Sequence, residues 1–473
     1  MQVFKRVLAR SQDLRSTRSI LAALLLYVSW VPFYYFQTQS LEAAPAFSLV
    51  KYAPFVLVCS ALVLWGAAWR ARGGGLSATG VGPWIVLHLA FSLLSLWGAT
   101  YGRIGLEKWI YFHATGPLLC WLAVQCHQGW GAIRRAALFL ALVGGGVAAY
   151  TSFFALTGLE PAWDVVQRVH NPYHTSHRAM GPFGSTVATA TCAMLLLPVA
   201  IWAYMQAGNL WAKAGWGVTC MLLPLTVLLT QTRATQAATL LCGLLLAPWL
   251  MRLRGIGRRH IYGLLLGLVL VVVLLQRASS DGIAAEIAQR WSEILEYRAV
   301  TIRDGDRVYE YGSLLEYTER FRVAQYYTVG NILAVHPLTG VGFGTFTREF
   351  EKYRYTENYM IREFPEHTTE NMYLMFLAET GVLGLLARLA LMAAILAVVL
   401  RSWRRARPGP RRDLLWAYLA SYVALSAHML TWDILNEPTL RMVYWLWTGL
   451  ALAAAQLEGD SGVAVVEIAD DAV

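Results

Sequence analysis

Charge is scarce in this chain. Only 14% of its 473 residues are Asp, Glu, Lys or Arg, while 57% are hydrophobic; soluble domains average about 25% charged. Several stretches of about 18 or more residues are almost free of charge, long enough to cross a hydrocarbon core as helix. Cysteine is scarce too. The six thiols (Cys59, Cys120, Cys126, Cys192, Cys220 and Cys242) all fall inside or at the edge of apolar stretches, which argues against disulfides and a cysteine metal site. A nucleotide motif is missing as well. Gly340-x-Gly342-x-Gly344 lacks the Lys-Ser/Thr and the βαβ setting of a phosphate loop and reads better as a tight turn packing a loop onto the membrane. There is no repeat at a fixed period and no Gly/Pro-broken pair of spans of the transporter kind.

What is present is a series of apolar runs. The expected fold is an all-α polytopic membrane protein with about 12 transmembrane helices. The runs lie near 19–37, 50–69, 82–100, 108–126, 136–157, 185–206, 215–231, 233–252, 260–276, 371–400, 414–432 and 440–456. The first follows Lys5, Arg6, Arg10, Arg15 and Arg18 without a small-residue cleavage site, so a retained span is expected rather than a signal peptide. The expected divisions are helices 1–9 in residues 1–276, a large loop at 277–369, helices 10–12 in 370–456, and an acidic tail at 457–473. Nineteen Trp and 23 Tyr suit residues anchored at the bilayer interface.

The net charge of +10 is concentrated in short loops, which points to orientation and anionic lipid rather than nucleic acid. The N-terminal cations and the clusters at 70–72, 134–135, 252–259 and 401–412 share one side, and that side is expected to be cytoplasmic. The long loop, the segment His170–Arg178 and Arg233 then share the outer side. Span centres are nearly uncharged, unlike the polar path a transporter would need.

Within these outer elements, Arg233 sits at the junction of two apolar runs among Thr230, Thr232, Thr235 and Gln236. A cation at membrane depth usually faces a cavity or partner, although an interfacial arginine can also snorkel to headgroups. Arg320 and Arg322 can bind phosphate oxygens through paired donors or sit on a solvated loop helix. His367 is a possible general base. Glu370 would share its face if the next helix starts early, whereas Thr368-Thr369-Glu370 could simply cap that helix. His170, His174 and His177 have metal-compatible spacing, but Pro172 opposes a regular helix there and no cysteine or paired carboxylate joins them; no metal is expected.

Three blocks resemble the O-antigen ligase and O-antigen polymerase superfamily of bacterial inner-membrane glycan transferases. They are Arg178-Ala179-Met180-Gly181-Pro182-Phe183-Gly184, then Leu229-Thr230-Gln231-Thr232-Arg233, and then Arg322 to Tyr326 with Pro337-Leu338-Thr339-Gly340-Val341-Gly342 and Asn371-x-Tyr373-Leu374-x4-Glu379-Thr380-Gly381. The family commonly has His directly before the Asn, where this chain has Glu370. The resemblance implies metal-independent transfer of a glycan from undecaprenyl diphosphate to an acceptor hydroxyl at the periplasmic face. Arg233, Arg322 and Arg178 would hold the diphosphate, and His367 or Glu370 would serve as the base, with no cofactor. The implied partners are the undecaprenyl-diphosphate-linked glycan, a lipid A core or other glycan acceptor, and membrane lipids. The twelve spans, with the large loop between helices 9 and 10, favour a ligase. Glu370 favours the repeat-unit polymerase as the alternative, ahead of a protein O-oligosaccharyltransferase. A transporter or an export-complex scaffold is the reading from a different class.

Overall fold

The structure, a computed structural model, describes residues 55–63, 65–66, 79–127, 129–157, 179, 181–183, 185–252, 300–304, 307–311, 314–355 and 369–457. Residues 55–63 and 65–66 are helical. Then follow α1 (Gly82–Leu94) and α2 (Gly102–Lys108), which runs through a π-helical turn, Trp109–Ala114, into α3 (Thr115–Cys126). Next come α4 (Trp130–Thr157), α5 (Thr186–Gln206), α6 (Leu210–Leu229) and α7 (Arg233–Arg252). The loop region contributes strands β1 (Val300–Asp304) and β2 (Arg307–Tyr311), then α8 (Leu314–Val335) and α9 (Phe346–Tyr353). The last helices are α10 (Met372–Arg405), α11 (Pro410–His428) and α12 (Pro438–Gln456).

Four of these helices are long and apolar enough to cross a membrane: Trp130–Ala155, Thr186–Gln206, Leu210–Leu229 and Met372–Arg405. The helices α5 to α7 and α10 to α12 begin and end within a few residues of the apolar runs expected there. The runs near 19–37 and 260–276, and the acidic tail beyond 457, lie outside the described residues. One correction concerns the large loop. Within the all-α expectation it holds one exception, because β1 and β2 pair antiparallel with Val300 opposite Tyr311.

The starts of the helices have local causes. Ser185 accepts a hydrogen bond from the Ala188 amide and Asn209 from the Ala212 amide, each satisfying a donor that a helix N-terminus leaves open. Arg404 and Arg405 occupy the last turn of α10, where the helix dipole favours cations. The bundle packs around α5, whose Ala190, Cys192, Met194, Leu196 and Trp202 are fully buried. It lies against α4, α6 and α11; Ser421 on α11 donates to the Leu195 carbonyl at 2.9 Å, and the Trp202 indole donates to Pro410 at the start of α11. Leu142, Phe153, Trp211, Leu240 and Leu244 point outward and exposed, as a lipid-facing surface requires.

Candidate functional site

The large loop is spliced into α10. At Gly381 the helix breaks, with φ 63°. An unbroken helix would pair the amides of Val382 and Leu383 with the carbonyls of Ala378 and Glu379. Instead, those carbonyls accept from the amides of Val341 and Gly342, at 3.0 and 2.9 Å. The amides of Val382 and Leu383 donate to the carbonyls of Pro337 and Leu338, at 3.0 and 3.4 Å. Two helical bonds are thus replaced by four bonds to the loop, and no buried backbone group there goes unmet. The approach is close enough to demand glycine on both sides. A Cβ on Gly340 would lie 2.3 Å from the Ala378 carbonyl oxygen, and one on Gly381 would lie 2.3 Å from the backbone of Leu338. The tight-turn reading of Gly340-x-Gly342-x-Gly344 is therefore the observed one.

Glu379 fastens the same junction from its side chain. Its Oε1 accepts from the Phe346 amide at the start of α9, at 3.3 Å, and Lys108 donates to the Gly344 carbonyl at 2.8 Å. With α8 and α10 tied together at the splice, the segments above it lie side by side. Val329 and Ile332 of α8 pack in one apolar cluster with Met375 and Ala378 of α10.

This packing brings together two residues that the sequence marked separately. Arg322 Nε lies 3.9 Å from Glu370 Oε2, with the two side chains 36% and 19% exposed. Glu370 is not helical; its φ is 50°. The helix begins only at Met372, and Asn371 caps it by accepting from the amides of Tyr373 and Leu374 at 3.0 and 3.1 Å. Neither expectation for 367–370 therefore holds in its original form. Glu370 has no helical face to share with His367, and the cap is Asn371 rather than Thr368-Thr369-Glu370. Thr369 instead donates to the Asn371 carbonyl at 2.7 Å. Burial raises the Glu370 carboxyl above its ordinary value, the Arg322 guanidinium works against that rise, and Asp433 adds to it.

Arg233 opens α7 and is half-buried. Two residues before it, Gln231 has φ 52°. Gln231 and Glu370 are the two non-glycine residues with positive φ among those described. Such backbone conformations are uncommon and concentrate at sites where surrounding structure imposes them. The Arg233 turn is tied to the Glu370 junction through His428. Its Nε2 lies 2.9 Å from Thr235 Oγ1 and 3.1 Å from Thr191 Oγ1. The next residue, Met429, accepts at its carbonyl from the Met372 amide at 2.9 Å. Ala179, one residue past Arg178, donates its amide to the Leu229 carbonyl at the end of α6. Arg178 itself lies outside the described residues, as do His170, His174, His177 and His367.

Sequence reasoning passed over four residues near this site. His428 lies in the last turn of α11. Asp433, Glu437 and Arg441 sit on or beside the short turn between α11 and α12. Asp433 acts on Glu370 electrostatically. Burial and Asp433 push the Glu437 carboxyl up to about 7, while Arg441 opposes the shift. His336, by contrast, is structural: its Nε2 pairs with the Tyr353 hydroxyl at 3.0 Å.

No curated protein matches the chain. A family model described as O-antigen ligase matches residues 218–389. That segment runs from within α6 past the Gly381 break and contains Arg233, Arg322, Glu370 and the whole splice, and over it the chain is similar to the O-antigen ligase superfamily.

Proposed function

We propose that the protein transfers a glycan from undecaprenyl diphosphate to an acceptor hydroxyl at the periplasmic face of the bacterial inner membrane, with the lipid A core as acceptor. The family supports a membrane glycosyltransferase of ligase or polymerase type in general. The observation that carries the finer reading is the Arg322–Glu370 pair at 3.9 Å, held at the helix junction by the splice. In this reading twelve helices cross the membrane, the N-terminus and the Arg401–Arg412 cluster face the cytoplasm, and residues 277–369 form the periplasmic loop.

The acceptor oxygen attacks the anomeric carbon. The bond from that carbon to the diphosphate oxygen breaks, and undecaprenyl diphosphate leaves with the electron pair. Negative charge grows on the leaving diphosphate, so fixed cations stabilise the transition state more than the ground state. Arg233 at the N-terminus of α7 and Arg322 on α8 supply them, with Arg178 as the third. The helix dipole of α7 adds to the Arg233 charge. No metal is needed for this task, because guanidinium groups remain cationic throughout.

Glu370 takes the acceptor proton, as His367 would in the alternative assignment. A carboxyl raised by burial is a stronger base than an exposed one. The Arg322 guanidinium beside it holds it down. When the diphosphate draws Arg322 toward itself, that restraint weakens and Glu370 becomes more basic as the donor arrives.

Glu370 stands where the resembled ligases commonly carry His, and this favours the repeat-unit polymerase as the second reading. A deletion strain separates the two. Polymeric lipid-linked glycan beside bare lipid A core is expected for the ligase. Single lipid-linked repeats would establish the polymerase, and unchanged glycolipids would refute both.

A further inference from the structure

About two turns beyond the Gly381 break, a second polar cluster lies inside the bundle. Arg388 and Glu379 of α10, Arg441 of α12 and His113 of the π-helical turn line a small cavity walled by apolar groups that include Phe376 and Trp445. Arg388 is only 2% exposed. Its guanidinium carbon lies 5.4 Å from the ring centre of Phe376, 5.6 Å from Trp445 and 5.9 Å from Tyr444. These faces hold the cation in place but accept no conventional hydrogen bond. The Nε and Nη2 atoms of Arg388 are buried, and no acceptor among the described residues reaches either.

Those two atoms form one edge of the guanidinium, the fork that grips both oxygens of a carboxylate or phosphoryl group. Leaving that fork buried and unmet is costly, because the group cannot give up its charge. The protein does not supply the missing acceptor. Glu379, the carboxylate in the lining, already receives the Phe346 amide. Arg441 brings a second positive charge, its Nε turned to the Leu435 carbonyl. Within the lining two guanidiniums face one carboxylate, and Glu437, outside the lining, offsets part of the Arg441 charge.

We propose that this cavity is a second oxyanion site, distinct from the Arg233–Arg322–Glu370 site, which takes one carboxylate or phosphoryl group on the Nε–Nη2 edge of Arg388 with Arg441 alongside. Its source would be an acidic substituent of the glycan or a phosphoryl group of a lipid-linked substrate; that assignment of source, unlike the binding itself, rests on the transferase reading. Met372 and Met375 also line the cavity, and flexible thioethers allow it to adjust to what enters.

The test uses the full chain in detergent carrying Arg178→Ala, Arg233→Ala and Arg322→Ala, which removes all three cations of the other anion site. Melting temperature is followed as sodium phosphate or sodium acetate replaces sodium chloride at constant ionic strength. A ligand bound only by the folded state raises it in proportion to ln(1 + [L]/Kd). The expected result is a saturable rise with phosphate, acetate or both. A response to phosphate alone identifies the phosphoryl group, and a response to acetate identifies a carboxylate. Arg388→Lys keeps the charge but loses the fork, and it should weaken the apparent Kd about ten-fold or more. Should that variant fail to fold, Met375→Phe fills the cavity while leaving Arg388 in place, and the same weakening is expected. No anion response beyond chloride, as a water-filled cavity would give, overturns the proposal; so does an Arg388→Lys or a folded Met375→Phe variant that titrates like its parent. No donor or acceptor glycan is present, so the outcome stands whether or not the transferase reading survives.

Discussion

The Arg322–Glu370 pair carries the sharpest prediction. At 3.9 Å, two unit charges interact by about 4 kcal/mol at an effective dielectric near 20 and about 1 kcal/mol in bulk water. Arg322 is about a third exposed, so solvent screening puts the coupling toward the low end, about 1–2 kcal/mol. Arg322→Ala removes the charge that lowers the Glu370 carboxyl and also removes a cation facing the leaving diphosphate. The second loss should lower kcat about 10²- to 10³-fold, as loss of one oxyanion-stabilising donor does. The first should move the acid limb of the residual pH–rate profile to higher pH, because the variant's Glu370 is protonated over a wider acidic range. Glu370→Gln should be nearly inactive and show no such limb. In a double-mutant cycle on kcat/KM, the pair should couple by about 1–2 kcal/mol, roughly 5- to 30-fold. The assay is transfer of lipid-linked glycan in membranes, with insertion checked by immunoblot. An acid limb unmoved in Arg322→Ala refutes the electrostatic argument. Full activity of Glu370→Gln refutes its role as base and leaves His367 to be tested by substitution with Ala.

Two further outcomes follow from backbone and burial. Gly340→Ala or Gly381→Ala drives a Cβ to within 2.3 Å of opposing backbone at a left-handed position that costs about 1–2 kcal/mol for other residues; either should undo the splice, seen as faster amide exchange at 337–342 and 382–383 and loss of transfer, and unchanged exchange would refute the splice. Glu437, raised to about 7 from a usual value of 4.5, binds its proton more tightly folded than unfolded, so stability should be greatest below about pH 4.5 for this group and decline as pH rises toward 7; Glu437→Gln should flatten that part of the melting profile, and an unaltered slope would sink the assignment.

The helix junction at 367–372 shows where reading residues in order stops working. Asn371, Tyr373, Glu379 and Gly381 were visible as a pattern, but their separate jobs were not. Asn371 caps the helix, the Tyr373 hydroxyl donates to the Ser426 carbonyl at 2.9 Å, Glu379 holds the start of α9, and Gly381 opens the helix to the loop. Three of these jobs need a partner from another element, and a local pattern carries no record of such partners. The same holds for His428, whose neighbours Thr191 and Thr235 are each almost two hundred residues or more away.

The sequence by itself determined that apolar helices make up most of this protein, because uncharged runs about 18 residues long have no other stable arrangement across a bilayer. It also marked Arg233, Arg322 and Glu370, because charge beside apolar runs is costly enough to stand out. Only the tertiary structure decided that Arg322 and Glu370 face one another, because that pairing depends on the register of α8 against α10. That register is set by the four backbone bonds at the splice, and backbone bonds leave almost no signature in a sequence beyond the glycines that make room for them.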